Sequence, residues 1–127
     1  MIDEKVKKLA QQDNFGTITT LLGDGMPSTH VMWVDADDEF MLINTEIHRA
    51  KFKNIQRDPR VAVVVINKKN PYEYAEVRGR VVGTVGGDVA RQHIDDLSVK
   101  YTGKPYDPKA IQTERVILKI APERQRA

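Results

Sequence analysis

Apolar residues along this chain fall mostly in short runs with a period near two, separated by clusters of Gly, Asp, Asn and Pro. That is the pattern of strands joined by turns. Residues 14–22 are rich in β-branched side chains and predict a first strand. Gly23-Asp24-Gly25 predicts a turn, because glycine takes positive φ at little cost. Residues 27–35 predict the returning strand of a hairpin. Third and fourth strands are predicted over 39–44, after the Asp37-Asp38 turn, and over Arg60–Ile66, where Val61, Val63, Val64 and Val65 crowd together. A long fifth strand over 72–85 is interrupted by Gly79 and Gly83, which predicts bulges or sharp coiling. Val116, Leu118 and Ile120 alternate in a sixth, over 115–120.

Three stretches follow a helical period instead. Val6, Leu9 and Ala10 predict a short helix over 3–12. Residues 45–58 hold a second, ended by Asp58-Pro59, because the residue before proline avoids the helical region. Ala90, Ile94, Leu97 and Tyr101 form one stripe of a third, with Asp88 as its expected N-cap. Six strands with three short helices and no strand–helix–strand alternation predict an antiparallel barrel in one domain, 1–127. Val31-Met32-Trp33-Val34 is apolar at four consecutive positions, which predicts a strand covered on both faces. One cover is the barrel core; the other would be a second subunit or a flat ligand.

Composition narrows the function. The chain has 127 residues, 40% hydrophobic and 30% charged, an ordinary globular balance. A net charge of +2 is too small to imply a nucleic-acid partner, and suits small anionic ligands. No cysteine is present, so disulfides, thiolate metal sites and a cysteine nucleophile are excluded. No apolar run follows a basic stretch at the start, and none approaches the roughly 18 residues that span a bilayer. A cytoplasmic protein without membrane contact is the expectation. His48 and His93 have no partner at metal-ligand spacing, so no metal site is expected.

The chemically informative stretch runs from Asn44 to Arg60. It leaves a strand end, enters a helix, and carries Arg49 and Lys51 near the junction. A helix N-terminus offers free N–H groups and partial positive charge, which suit phosphate. Arginine adds a planar donor fork and lysine a point charge. Side chains two apart in a regular helix point about 200° apart. Arg49 and Lys51 can therefore share one phosphate only if Arg49 lies in the loop or first turn. Thr45 is placed to add a hydroxyl contact or to cap the helix. Against this stands the reading of Arg49, Lys53 and Arg57, spaced by four, as a solvated helix face. His30 is the candidate proton donor, with a hydrogen-bonded strand histidine as the competing reading.

The order and spacing of several segments resemble the pyridoxamine 5′-phosphate oxidase-like split-barrel superfamily, and within it the deazaflavin (coenzyme F-420)-dependent reductases. They are Phe15-Gly16-Thr17, Arg49-Ala50-Lys51, Asp58-Pro59-Arg60-Val61, the run from Asn70 to Gly79, Tyr101-Thr102-Gly103 and Ala121-Pro122-Glu123-Arg124. The resemblance implies a six-stranded split β-barrel and a homodimer with its cofactor sites at the subunit interface. It implies phosphate binding by Arg49 and Lys51, with Thr45 beside them and Asn54 on the next turn. Val31, Met32 and Trp33 would lie along the ring system. Tyr72, Tyr74 and Glu76 would reach the site from the partner. The expected activity is hydride transfer between reduced coenzyme F-420 and an unsaturated small molecule, with an FMN-binding oxidase or reductase, or a non-catalytic flavin- or deazaflavin-binding protein, as alternatives. The chain ends soon after Pro122, which argues against vitamin B6 phosphate oxidation.

Overall fold

The computed structural model describes residues 1–127. It has three helices: α1 (Glu4–Gln11), α2 (Ala50–Arg57) and α3 (Gly87–Thr102). It has seven strands: β1 (Phe15–Leu21), β2 (Pro27–Met32), β3 (Asp35–Ala36), β4 (Met41–Glu46), β5 (Arg60–Ile66), β6 (Tyr74–Val85) and β7 (Arg115–Arg126). All pair antiparallel in one sheet of order β2-β1-β5-β6-β7-β4-β3. The two edge strands, β2 and β3, are consecutive in the chain. Trp33 and Val34 therefore carry the chain from one edge of the curled sheet to the other. This seam explains why seven strands appear where six are expected. The predicted strand over 27–35 is two strands with different neighbours.

Inward-facing residues alternate along each strand and form one core. Ile18, Val34, Met41, Ile43, Val63, Val65, Val77, Leu118 and Ile120 are all buried. Helix α1 closes the barrel with Val6 and Ala10, and Ile2 packs beside them. The long β6 bends at two register shifts, between Arg78 and Gly79 and between Val81 and Gly83, as its glycines predict. At the first, a Cβ on residue 79 would lie 2.0 Å from the Ala121 carbonyl oxygen, so only glycine fits.

Helix α3 secures the seam. The Tyr101 hydroxyl donates to the Asn14 carbonyl at 2.8 Å and accepts from the Val34 amide at 3.2 Å. Lys100 donates to the carbonyls of Val34 (2.6 Å) and Ala10 (3.0 Å). Burial lowers the Lys100 pKa, with Asp35 and Asp13 acting against it. The N-cap of α3 is Gly86, with Gly87 at φ +63°. Asp88 falls inside the first turn instead, where a carboxylate still favours the helix dipole.

Candidate functional site

Where β4 ends, the chain turns through Glu46–Arg49 into α2. Arg49 is the N-cap, with extended backbone at φ −70°, ψ 148°. The geometric condition for a shared phosphate is thus met: Arg49 stands outside the helix, and Lys51 lies in its first turn. Both line an open cleft of about 340 Å³ with Val31, Met32, Trp33 and Thr45. Asn44, Ile94, Tyr106 and Arg115 complete its lining. Six of the residues expected at a cofactor site from sequence therefore do converge.

The electrostatics of this end are one-sided. The first turn of α2 holds no acidic residue, and the helix N-terminus is itself positive. Burial lowers the Lys51 pKa below the ordinary 10.5, and the charges of Arg49 and Arg115 lower it further. Of the three cations only Arg115 has an ion-pair partner, Glu46, at 3.3 Å. Three cations against one carboxylate leave a surplus of two positive charges, a donor set suited to a phosphate group.

Glu46 is fully buried and anchors the floor. Burial pushes its carboxyl pKa up. The amides of Thr113 and Gln112, both at 2.7 Å, and the charges of Arg115 and His48 together outweigh that, holding it below the ordinary 4.5. Asn44 bridges Arg115 to α3: its oxygen accepts from Arg115 Nε at 2.8 Å, and its amide donates to the Ala90 carbonyl at 2.9 Å. With the amide oriented by both contacts, His93 Nδ1, 3.1 Å from Asn44 Nδ2, acts as acceptor. That leaves His93 Nε2–H facing Asp35 at 3.0 Å, which assigns the tautomer. Trp33 stacks on Tyr101 at 5.3 Å and meets Tyr106 edge-on at 6.0 Å, so one of its faces is already taken.

Other expected residues lie elsewhere. Asn54 does not reach the cleft; it is buried and donates to Thr20 Oγ1 at 3.0 Å, while accepting from Arg57. Arg57 also donates to the Leu21 carbonyl, so it ties α2 to β1 rather than standing free. Thr45 is buried beside the cleft and does not cap α2, whose N-cap is Arg49. His30 is exposed, 3.3 Å from Ser28 Oγ, and does not line the cleft. Tyr72 and Tyr74 line a separate groove with Lys5, Lys8 and Leu9, and Glu76 sits 3.6 Å from Arg78. Sequence reasoning missed Arg115 and gave Asn44, at the start of the informative stretch, no role of its own; Tyr106, which the sequence offers with Tyr72, Tyr74 and Tyr101 as a candidate substrate wall, does line the cleft. Arg115 opens a strand more than fifty residues beyond α2, and nothing local in the sequence links the two.

A split, curled antiparallel sheet with a cationic cleft beside its seam defines the class of split-barrel proteins. The profile of the pyridoxamine 5′-phosphate oxidase family matches residues 2–127, and the chain belongs to that family. An F420 reductase of known structure is 32% identical, with 98% of each chain covered and a TM-score of 0.84. A conserved hypothetical protein of Mycobacterium tuberculosis is 23% identical over 98% of this chain and 82% of its own, with a TM-score of 0.72. General stress protein 26 of Bacillus anthracis is 22% identical over 96% and 89%, with a TM-score of 0.68. The latter two show the fold alone. No curated protein matches the chain significantly. The family includes oxidoreductases, and a flavin-type cofactor is the ligand class it supports.

Proposed function

We propose that this protein is a coenzyme F-420-dependent oxidoreductase acting on an unsaturated small molecule. The observation that carries this reading is the cleft itself: two cations without internal partners, Arg49 and Lys51, beside the apolar wall Val31–Trp33. The similarity to an F420 reductase favours the deazaflavin over FMN, and family membership keeps FMN as the alternative. When bound, the reduced ring supplies a hydride. Arg49 and Lys51 hold the phosphate, with the free N–H groups at the start of α2 as added donors. Val31, Met32 and Trp33 exclude water from one side of the ring. Thr45 is available to orient the phosphate from the strand end.

A second copy of the chain supports the site. Cross-strand pairing puts Val31, Thr17, Val64 and Glu76 in one row on the outer face, with Phe15, Ile66 and Tyr74 in the next. Phe15 is 60% and Val31 73% exposed, a costly display for apolar side chains in adjacent rows. Members of the family are typically dimers. Packing two such faces together covers this surface and brings Tyr72, Tyr74 and Glu76 toward the partner's cleft. His30, exposed on the same edge strand, remains a candidate proton donor in that assembly.

Turnover tests the reading. The protein is mixed with reduced coenzyme F-420 and a panel of quinones, enones, nitro compounds and tetrapyrroles, and reoxidation is followed by absorbance. Protein-dependent reoxidation with at least one acceptor is expected. Tight binding without turnover across the panel would instead indicate a cofactor carrier.

A further inference from the structure

We infer that Arg115 is a third anion-binding residue of the cleft, held in place by Glu46 and Asn44. The inference rests on reading the cleft as the site of a phosphate-bearing cofactor, and extends it to the residue that opens β7, paired across the sheet with Glu46. The Arg115 side chain is only 8% exposed, yet it lines the cleft. Its Nε is committed to Asn44 at 2.8 Å and its Nη1 to Glu46 at 3.3 Å. Its Nη2 makes no hydrogen bond within the chain and is not sealed from solvent, which leaves a free donor on a residue that lines the cleft. Tyr106 covers the guanidinium, whose central carbon is 5.3 Å from the ring centroid.

The arrangement differs from a plain structural ion pair in two ways. A buried arginine that only tied β4 to β7 would direct all its donors at protein acceptors. Here Nε and Nη1 are locked, while Nη2 is left unpaired on a residue that lines the same cleft as Arg49 and Lys51. Burial lowers the pKa of both Lys51 and Arg115, and the charge of Arg49 adds to it at each, with Arg115 also acting on Lys51 and with Tyr106 and Glu46 opposing the shift at Arg115. An anion bound among the three cations relieves their repulsion. Glu46 and Asn44 are positioning residues. They fix the plane of the guanidinium so that Nη2 meets the anion without loss of side-chain freedom on binding.

The test follows the Arg115 Nε–H resonance by NMR, which the fixed bond to Asn44 makes observable. Wild-type protein is titrated with inorganic pyrophosphate, with coenzyme F-420 and with FMN. Affinities for F-420 and for its phosphate-free deazaflavin riboside are then compared between wild type and variants. The resonance is expected to shift with pyrophosphate. Arg115→Gln combined with Glu46→Gln, which leaves no unpaired buried carboxylate, should weaken F-420 binding at least tenfold and leave the phosphate-free riboside unchanged. Asn44→Ala should lower the same selectivity severalfold. If F-420 binds while the resonance stays fixed, or if the double variant binds F-420 like wild type, Arg115 is a structural clasp and the inference is overturned. If neither F-420 nor FMN binds but pyrophosphate moves the resonance, the cofactor reading fails and the Arg115 anion contact stands.

Discussion

Lys51 is the residue on which the phosphate argument turns. Burial and two neighbouring cations depress its pKa, so the folded chain binds fewer protons there than the unfolded chain. The cofactor-free protein therefore gains stability as pH rises through the depressed pKa toward 10.5, and carries the full cost below it. A bound phosphate reverses the balance by favouring the charged amine. Cofactor affinity should accordingly fall as pH rises, beginning below the ordinary lysine value, and Lys51→Arg should flatten that dependence. Lys51→Ala should weaken F-420 binding at least tenfold with an unchanged melting temperature. Fluorescence titrations across pH, with thermal melts alongside, check both. Affinity independent of residue 51 would remove it from the site.

Among elements, β6 and the seam decide the shape. Gly79 faces a carbonyl oxygen that any Cβ would strike. Gly79→Ala should destabilise the fold by roughly 3 kcal/mol, lowering the melting temperature by on the order of 10 °C; a shift of a degree or two would show that β6 can move aside. The glycines of this strand were legible because a bulge needs a missing side chain. The division of residues 27–35 was not. Alternation shows that a segment is extended, but not where it leaves one neighbour for another. Val31 and Val34 look alike in sequence, yet one is 73% exposed and the other fully buried at the seam. Likewise Arg49 and Lys51 were readable from their place at a helix start. Arg115 and Asn44 meet only through the pairing of β4 with β7. Asn54 shows the opposite error: a polar residue one turn on from Lys51 is satisfied inside the fold by Thr20.

For the whole molecule, the single chain leaves its cleft open on one side and its outer face bare. Phe15 lies on that face, away from the cleft lining, so its role can be separated from cofactor contact. Phe15→Arg places a charge within the exposed apolar rows that a second copy would cover. It should convert a dimer to monomers by sedimentation or light scattering, with cofactor affinity falling in parallel. A wild-type protein that stays monomeric at about 100 µM, a concentration well above the micromolar dissociation constants of weak specific interfaces, would contradict the shared-site arrangement.

The central claim is that this family member uses its cationic cleft for a phosphate-bearing deazaflavin. The most direct measurement is a side-by-side fluorescence titration of cofactor-free protein with coenzyme F-420 and with FMN. Binding of F-420 at micromolar or tighter concentration, with FMN weak or absent, is the result expected. FMN bound tightly and F-420 not at all would move the protein to flavin chemistry, and binding of neither would contradict the phosphate site.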